Sequence, residues 1–220
     1  MNSLEIISNL KNGKILNNNF LRAYDNENNL YYLRPVKIGI DDARNMSRWR
    51  RDFSKSFLSW IEPDENEVLN WLQSYKDKNN DIIFIIESEH NISIGQISIY
   101  NLNPLTKQAE FGRIIHDKNC KSKGIMTSAS KTLIKWAFEN LSLEKLSLEV
   151  FVDNKSAILL YKRLGFIIDS ISVYYKTITI DDVVTWRRFD EITKYPKNSQ
   201  QGEFREVYEM SINKQIFKQN

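Results

Sequence analysis

Asp153-Asn154-Lys155-Ser156-Ala157-Ile158-Leu159-Leu160-Tyr161-Lys162-Arg163-Leu164-Gly165-Phe166 is a short helix with both ends written into the sequence. Asn154 can cap its start, Ala157, Leu160, Tyr161 and Leu164 share one face at i, i+3, i+4 and i+7, and Gly165 suits a left-handed stop. Before it, Leu146, Leu148, Val150 and Val152 alternate with Ser147 and Glu149, the period of a strand. Behind it Phe166-Ile167-Ile168 is extended and apolar, so the unit reads strand, helix, strand.

Upstream, Ile125, Met126, Ala129, Leu133, Ile134, Ala137 and Phe138 recur at helical spacing and mark a helix ending near Asn140, entered from the polar turn Asp117 to Ser122. Before that turn the apolar parity of Ala109, Phe111, Gly112, Ile114 and Ile115 changes across Gly112, which predicts a β-bulge. Ile92, Ile94, Ile97 and Ile99 slip in the same way, and one extra residue near Gly95-Gln96 would turn all four toward the core. Ile82-Ile83-Phe84-Ile85-Ile86 lacks alternation, as expected of a central strand covered on both faces, and Glu89-His90-Asn91 supplies a hairpin turn. Pro63-Asp64-Glu65-Asn66-Glu67 opens a helix to about Tyr75, with Val68, Leu69, Trp71 and Leu72 as its apolar side. Asp41 or Asp42 can cap an earlier helix through Asp52, and Leu30 to Val36 reads as a strand whose Pro35 favours an edge. Residues 1–29 are asparagine-rich turns around a candidate strand at Phe20 to Tyr24. Downstream, Ile171 to Ile180 continues as a strand, 181–202 shows little periodicity, and Phe204, Val207, Tyr208, Met210 and Ile212 mark a last strand.

With 220 residues, 41% of them hydrophobic, the chain suits one domain over 30–220, preceded by an extension at 1–29 and interrupted by an insertion at about 181–202. The net charge of +3 arises from 31 basic and 28 acidic residues scattered along the chain, so no basic arm for nucleic acid is present, while anionic ligands are mildly favoured. Cys120 is the sole cysteine, which rules out an internal disulfide, and with two histidines it cannot form a zinc cage of the usual kind; no metal is expected. Ile82 to Ile86 is the longest apolar run and Met1 to Lys11 lacks the layout of a signal peptide, so the expectation is a cytoplasmic protein without membrane insertion.

Cys120-Lys121-Ser122-Lys123-Gly124-Ile125-Met126-Thr127 places two lysines and a glycine at a helix N-terminus, where free N–H groups and the helix dipole suit a pyrophosphate. The stretch matches neither the eight-residue P-loop nor the three-glycine dinucleotide fingerprint. Lys121-x-x-Gly124 with its helix, followed about thirty residues on by Asn154-x-x-Ala157-x-x-Leu160-Tyr161-x-x-x-Gly165-Phe166, resembles the acetyl-CoA-binding core of the GNAT N-acetyltransferase superfamily. The resemblance covers Leu30 to Phe166 and, by strand count, Phe204 to Ile212; Lys121 stands where the family has Arg or Gln, and Met126 where it has a small residue.

The resemblance implies an α+β fold in α/β/α layers, with a mixed central sheet of about seven strands, two splayed central parallel strands and about four helices. It implies acetyl-CoA as cofactor, bound through Ile114, Ile115, Lys121, Ser122, Lys123, Gly124, Ile125, Met126, Thr127, Asn154, Ser156, Ala157 and Tyr161. The bulged strand would free backbone groups for the pantetheine arm and the acetyl carbonyl. Tyr161 matches the proton donor to the departing thiolate, a role open to a phenol of pKa about 10 facing a thiol of about 8.5. Glu110 and His116 are the candidates for the base, beside a relay through water.

The acceptor region of the superfamily corresponds to Trp49, Arg50, Arg51 and Trp60; the Trp49-Arg50 pair closing the first helix, followed by an acidic-capped second helix with Trp71, resembles the subfamily acetylating nucleotide-linked deoxyamino sugars for surface polysaccharides, from whose usual Trp-Arg-Asn Arg51 departs. Aromatic faces suit a base or sugar and arginines a diphosphate, whereas Trp71 reads as packing its helix on the sheet. Two alternatives stay open: a protein N-terminal acetyltransferase of the ribosomal-protein type, and a CoA-binding module without catalysis. The implied partners are a small-molecule acceptor and, through a subunit contact to which 181–202 could contribute, a second copy in a homodimer; the same segment could instead cover the acceptor site.

Overall fold

The computed structural model describes residues 1–14, 21–60, 62–179, 183–189 and 203–218. Asn2 caps α1 (Ser3–Lys11) in a capping box with Glu5, and β1 (Leu21–Tyr24) turns into β2 (Leu30–Pro35). Then come α2 (Ile40–Asp52), a 3-10 turn (Ser54–Ser56), the short β3 (Ser59–Trp60) and α3 (Glu65–Tyr75), whose cap Asp64 accepts from the N–H groups of Asn66 and Glu67. The middle of the chain forms β4 (Ile82–Ser88), β5 (Ser93–Asn103), β6 (Gln108–His116), α4 (Ile125–Asn140), β7 (Lys145–Phe151) and α5 (Lys155–Arg163). It ends in β8 (Ile167–Ile178), β9 (Val184–Arg188), β10 (Phe204–Asn213) and the one-turn α6 (Lys214–Phe217).

β4 shows how the layers form. Ile82, Phe84 and Ile86 point into a core shared with Ile7 of α1, Leu133 and Phe138 of α4 and Ile158 of α5, while Ile83 and Ile85 point into a second core with Trp49 of α2 and Leu72 and Tyr75 of α3. An unbroken apolar run is what a strand buried on both faces requires. The sheet runs β1-β2-β4-β5-β6-β7-β10-β8-β9-β3, and every adjacent pair is antiparallel except β6 with β7. This is the α+β, α/β/α arrangement the sequence implies.

The described sheet has ten strands rather than about seven, and six α-helices accompany it rather than about four. β9 carries no strand signal in the sequence because Trp186 is its one buried residue, which leaves no alternation. β8 is continuous from Ile167 to Ile178, its two apolar pieces joined across an irregularity opposite Glu209 and Met210. β2 is an interior strand; Pro35 is tolerated because β1 pairs only as far as Leu33. Gly39 precedes α2, and Asp42 lies inside it as the buried, bidentate partner of Arg34 at 2.7 Å. In β5 the extra residue is Ile94, since Ile86 pairs with Gly95 and Glu87 with Ser93; Ile94, Ile97 and Ile99 are buried, but Ile92 lies before the bulge and is exposed. Most of the segment 181–202 lies outside the described residues.

Candidate active site

β6 and β7 pair only through Gln108 with Lys145, Ala109 with Leu146, and Glu110 with Ser147. Past Glu110 they part, and β6 bulges: Gln96 faces Ile115 and Ser98 faces Gly112, so Arg113 and Ile114 together stand opposite Ile97. Arg113 takes φ 50° to make this turn, and its guanidinium is held by Asp81 at 2.8 Å. A bulge adds local twist, which carries β6 away from β7 and leaves backbone groups without a strand partner. The resulting cleft of about 900 Å³ is lined by β6 from Phe111 to His116, Glu149 and Val150 of β7, Met126 and Thr127 of α4, the inner face of α5, and Arg50, Phe53, Phe57 and Trp71.

At its N-terminal end, α4 begins at Gly124, whose φ of 80° admits the left-handed entry and which offers no capping side chain, so the first-turn N–H groups stay available. Lys121 and Lys123 are exposed beside it, and Ser122 Oγ shares a short hydrogen bond with Tyr31 Oη. Ile125 is fully buried, so only its backbone faces this site. On α5, Asn154 Oδ1 accepts from the Ala157 N–H at 3.3 Å and the Ser156 hydroxyl at 3.2 Å. The far end closes as a Schellman turn, Phe166 N–H to Tyr161 O and Gly165 N–H to Lys162 O, with Gly165 at φ 94°. Ile158, Tyr161 and Leu164 hold α5 to the core while the half-buried Ala157 and Leu160 become cleft wall. Burial pushes the Tyr161 phenol up to about 12.

Of the expected site residues, the structure brings Ile114, Ile115, His116, Met126, Thr127, Asn154, Ser156, Ala157, Tyr161 and Arg50 to one cleft. It does not bring Glu110, which sits before the strands part and takes a 2.8 Å hydrogen bond from Asn101. Trp49 is fully buried and donates Nε1–H to Asp117 at 2.9 Å, so it cannot face an acceptor. Arg51 is turned outward onto Glu62 at 2.9 Å and the Pro63 carbonyl at 2.8 Å. Trp60 sits on β3 beside β9, away from the cleft lining. Trp71, expected to pack on the sheet, is instead 37% exposed, lines the cleft, and stacks on Tyr75. Helical phase decides both tryptophans: Trp49 falls on the buried stripe of Ala43 and Met46, while Leu72 and Tyr75 take that place on α3.

Glu149 was missed. It projects from β7 just where β6 has left, opens onto the cleft, and accepts from Tyr174 Oη at 2.6 Å. The desolvating walls of the cleft raise its pKa above the ordinary glutamate value, against the pull of the tyrosine hydrogen bond. Its signal was a lone carboxylate in an apolar strand, but only the parting of β6 and β7 gives that position a cavity. Gln96 Oε1 and His116 Nε2, both at the cleft, are buried with no protein partner, and burial lowers the His116 pKa despite Asp117 beside it.

The sequence model of the acetyltransferase (GNAT) domain matches residues 31–167. The chain belongs to the GNAT acetyltransferase family. YdaF of Bacillus subtilis, whose name assigns it provisionally to ribosomal N-acetylation, is 31% identical over 61% of this chain and 71% of its own. The acetyltransferase PseH of Campylobacter jejuni is 32% identical over 60% of this chain and 82% of its own. The spermidine N-acetyltransferase of Vibrio cholerae in complex with CoA and spermine superposes with a TM-score of 0.67 at 20% identity, covering 85% of this chain and 97% of that one, a likeness of fold. This GNAT chain is an acetyl-CoA-dependent N-acetyltransferase. Its residues fit that donor: an uncapped helix N-terminus preceded by two lysines, unpaired strand backbone, and a cleft with orphaned buried polar atoms. Among the described residues no helix is long and apolar enough to cross a membrane.

Proposed function

We propose that this GNAT enzyme acetylates the amine of an acceptor that also carries an aromatic ring and a diphosphate, the chemistry of a nucleotide-linked deoxyamino sugar. Arg50 carries this reading. Its guanidinium lines the cleft, half-buried, with one N–H on the Ser59 carbonyl and no carboxylate at ion-pair distance among the described residues. Burial, followed by the nearby Arg113 charge, lowers its pKa, so an anion at this position would relieve an uncompensated cation. The Phe57 ring lies 4.7 Å from the guanidinium, and Phe53 and Trp71 add faces on which a base or sugar could stack. A polyamine would instead meet Arg50, Arg113 and Arg163 across a lining whose carboxylates are Glu67 and Glu149.

Lys121, Ser122, Lys123, the first-turn N–H groups of α4, Asn154 and the freed backbone of β6 would hold acetyl-CoA, which supplies an activated acetyl carbonyl when bound. Glu149, in place of Glu110, is the group suited to take the proton from the acceptor ammonium. Tyr161 keeps its proton at neutral pH and lines the same cleft, so its hydroxyl is the proton source for the departing thiolate. His116, made less basic by burial, suits a hydrogen-bonding role.

Thiol release from acetyl-CoA with a panel of UDP- and dTDP-linked amino sugars, spermidine and N-terminal peptides tests the proposal. Turnover confined to the nucleotide sugars is expected, and turnover confined to spermidine removes it. The similarity to YdaF favours a second reading, acetylation of a protein N-terminus, which turnover with peptides alone would establish. Silence on every acceptor with CoA still bound would place the acceptor amine outside these three classes and remove the proposal.

A further inference from the structure

β1 and the turn after it lie outside the residues matched by the GNAT model, yet they run along α4 and end on the loop at its start. Three backbone groups spaced two residues apart, two on the edge of β1 that faces away from β2 and one in the turn after it, make this contact. The Arg22 carbonyl accepts from Thr132 Oγ1 at 3.1 Å, the Tyr24 N–H donates to Ser128 Oγ at 3.1 Å, and the Asn26 N–H donates to the Lys123 carbonyl at 2.9 Å. Two-residue steps along a strand edge thus meet four-residue steps down a helix and finish at the loop. These partners also satisfy an edge that would otherwise stand open.

The turn itself is tied by its own hydrogen bonds and pressed on the loop. Asp25 accepts from the Glu27 N–H, the Asn29 N–H and Asn29 Nδ2, each at 2.9 Å, and Asn28 takes φ 65°. Tyr31 Oη joins Asp25 Oδ2 at 3.4 Å to Ser122 Oγ. Asn26 Oδ1 stands 2.0 Å from where a Cβ on Gly124 would be, so the Asn26 side chain rests directly on that glycine and a side chain there would displace it. We infer that residues 21–31 are a splint that holds the 121–124 loop in its donor-binding shape, with Asn26 and Tyr31 as positioning residues for acetyl-CoA. The inference rests on the reading of that loop as the pyrophosphate site.

CoA titration calorimetry on the full chain tests it, with Tyr31→Phe, Asn26→Ala and the pair Lys121→Ala/Lys123→Ala. Loss of one loop-ordering hydrogen bond in Tyr31→Phe should weaken CoA about five- to thirty-fold. The KM for acetyl-CoA should rise in parallel, while kcat and the acceptor KM, measured with whichever acceptor turns over, stay unchanged. Asn26→Ala, an exposed turn position, should follow in the same direction without a fall in thermal midpoint. Unchanged CoA affinity in both hairpin variants, with the lysine pair weakened, overturns the splint and leaves the loop assignment standing. Unchanged affinity in all three overturns both, and an acceptor KM that rises as much as that for acetyl-CoA overturns the splint in favour of general loosening.

Discussion

Tyr174 Oη on β8 donates to Glu149 Oε1 on β7 at 2.6 Å, reaching across β10, which lies between them in the sheet. On the intervening strand, Glu209 is drawn off by Ser172 at 2.6 Å and Arg188 at 2.9 Å, so one carboxylate is neutralised and the other is left facing the cleft.

Glu149→Gln should lower kcat/KM about a hundredfold, within the usual worth of a general base. In the wild type, kcat/KM should fall as pH drops through the raised Glu149 pKa, and that limb should vanish in the variant. An acid whose folded pKa is raised favours folding in its protonated form, and this support is lost as pH rises through the folded value. The Gln variant should therefore keep its thermal midpoint at neutral pH; a lost midpoint, or an unchanged acid limb, removes Glu149 as the base.

Tyr161→Phe should lower turnover about ten- to a thousandfold while CoA affinity holds, because the ring and its contact with Phe166 at 5.9 Å remain. With the phenol pushed up to about 12, no alkaline loss of activity should be traceable to Tyr161 below about pH 10. Equal turnover in the Phe variant would exclude Tyr161 as the acid.

Asp117 ties the end of β6 to α2. Burial pushes its pKa up, yet the hydrogen bonds from Trp49, the Asn119 N–H and Arg48 outweigh this and hold it at about 2. A carboxyl depressed in the folded state contributes stability above its unfolded pKa of about 4, lost as pH falls toward about 2. Trp49→Phe removes one donor from this buried carboxylate and should cost about 1–3 kcal/mol, moving the acid-unfolding midpoint to higher pH. Circular dichroism across an acid titration checks both.

Arg50→Ala should raise the KM for a nucleotide-linked acceptor at least tenfold, as expected for a charged hydrogen bond, without changing CoA affinity. Arg51→Ala, whose side chain is spent on Glu62 outside the cleft, should change neither. Steady-state kinetics with the acceptor varied at fixed acetyl-CoA separates the two.

Local pattern was enough for α5 and for the start of α4 but not for α1, a helix over Ser3–Lys11 where turns were expected, although the Asn2 and Glu5 of its capping box stand in the sequence. Asn154, the stripe through Leu164 and Gly165 specify α5 without help from the rest of the chain, and Gly124 with its lysines specifies how α4 starts. The parity slip across Gly112 announced a bulge whose place, at Arg113 and Ile114, pairing with β5 then settled. Tertiary structure alone decided which side chains share the cleft. Trp49 and Trp71 look alike in sequence, but helix phase against the sheet buries one on Asp117 and turns the other onto the cleft. Glu110 and Glu149 are both strand carboxylates, and only the point where β6 leaves β7 distinguishes them. Periodicity reports which face of an element is apolar, whereas a cavity arises where two elements fail to meet, and that failure is a property of their packing.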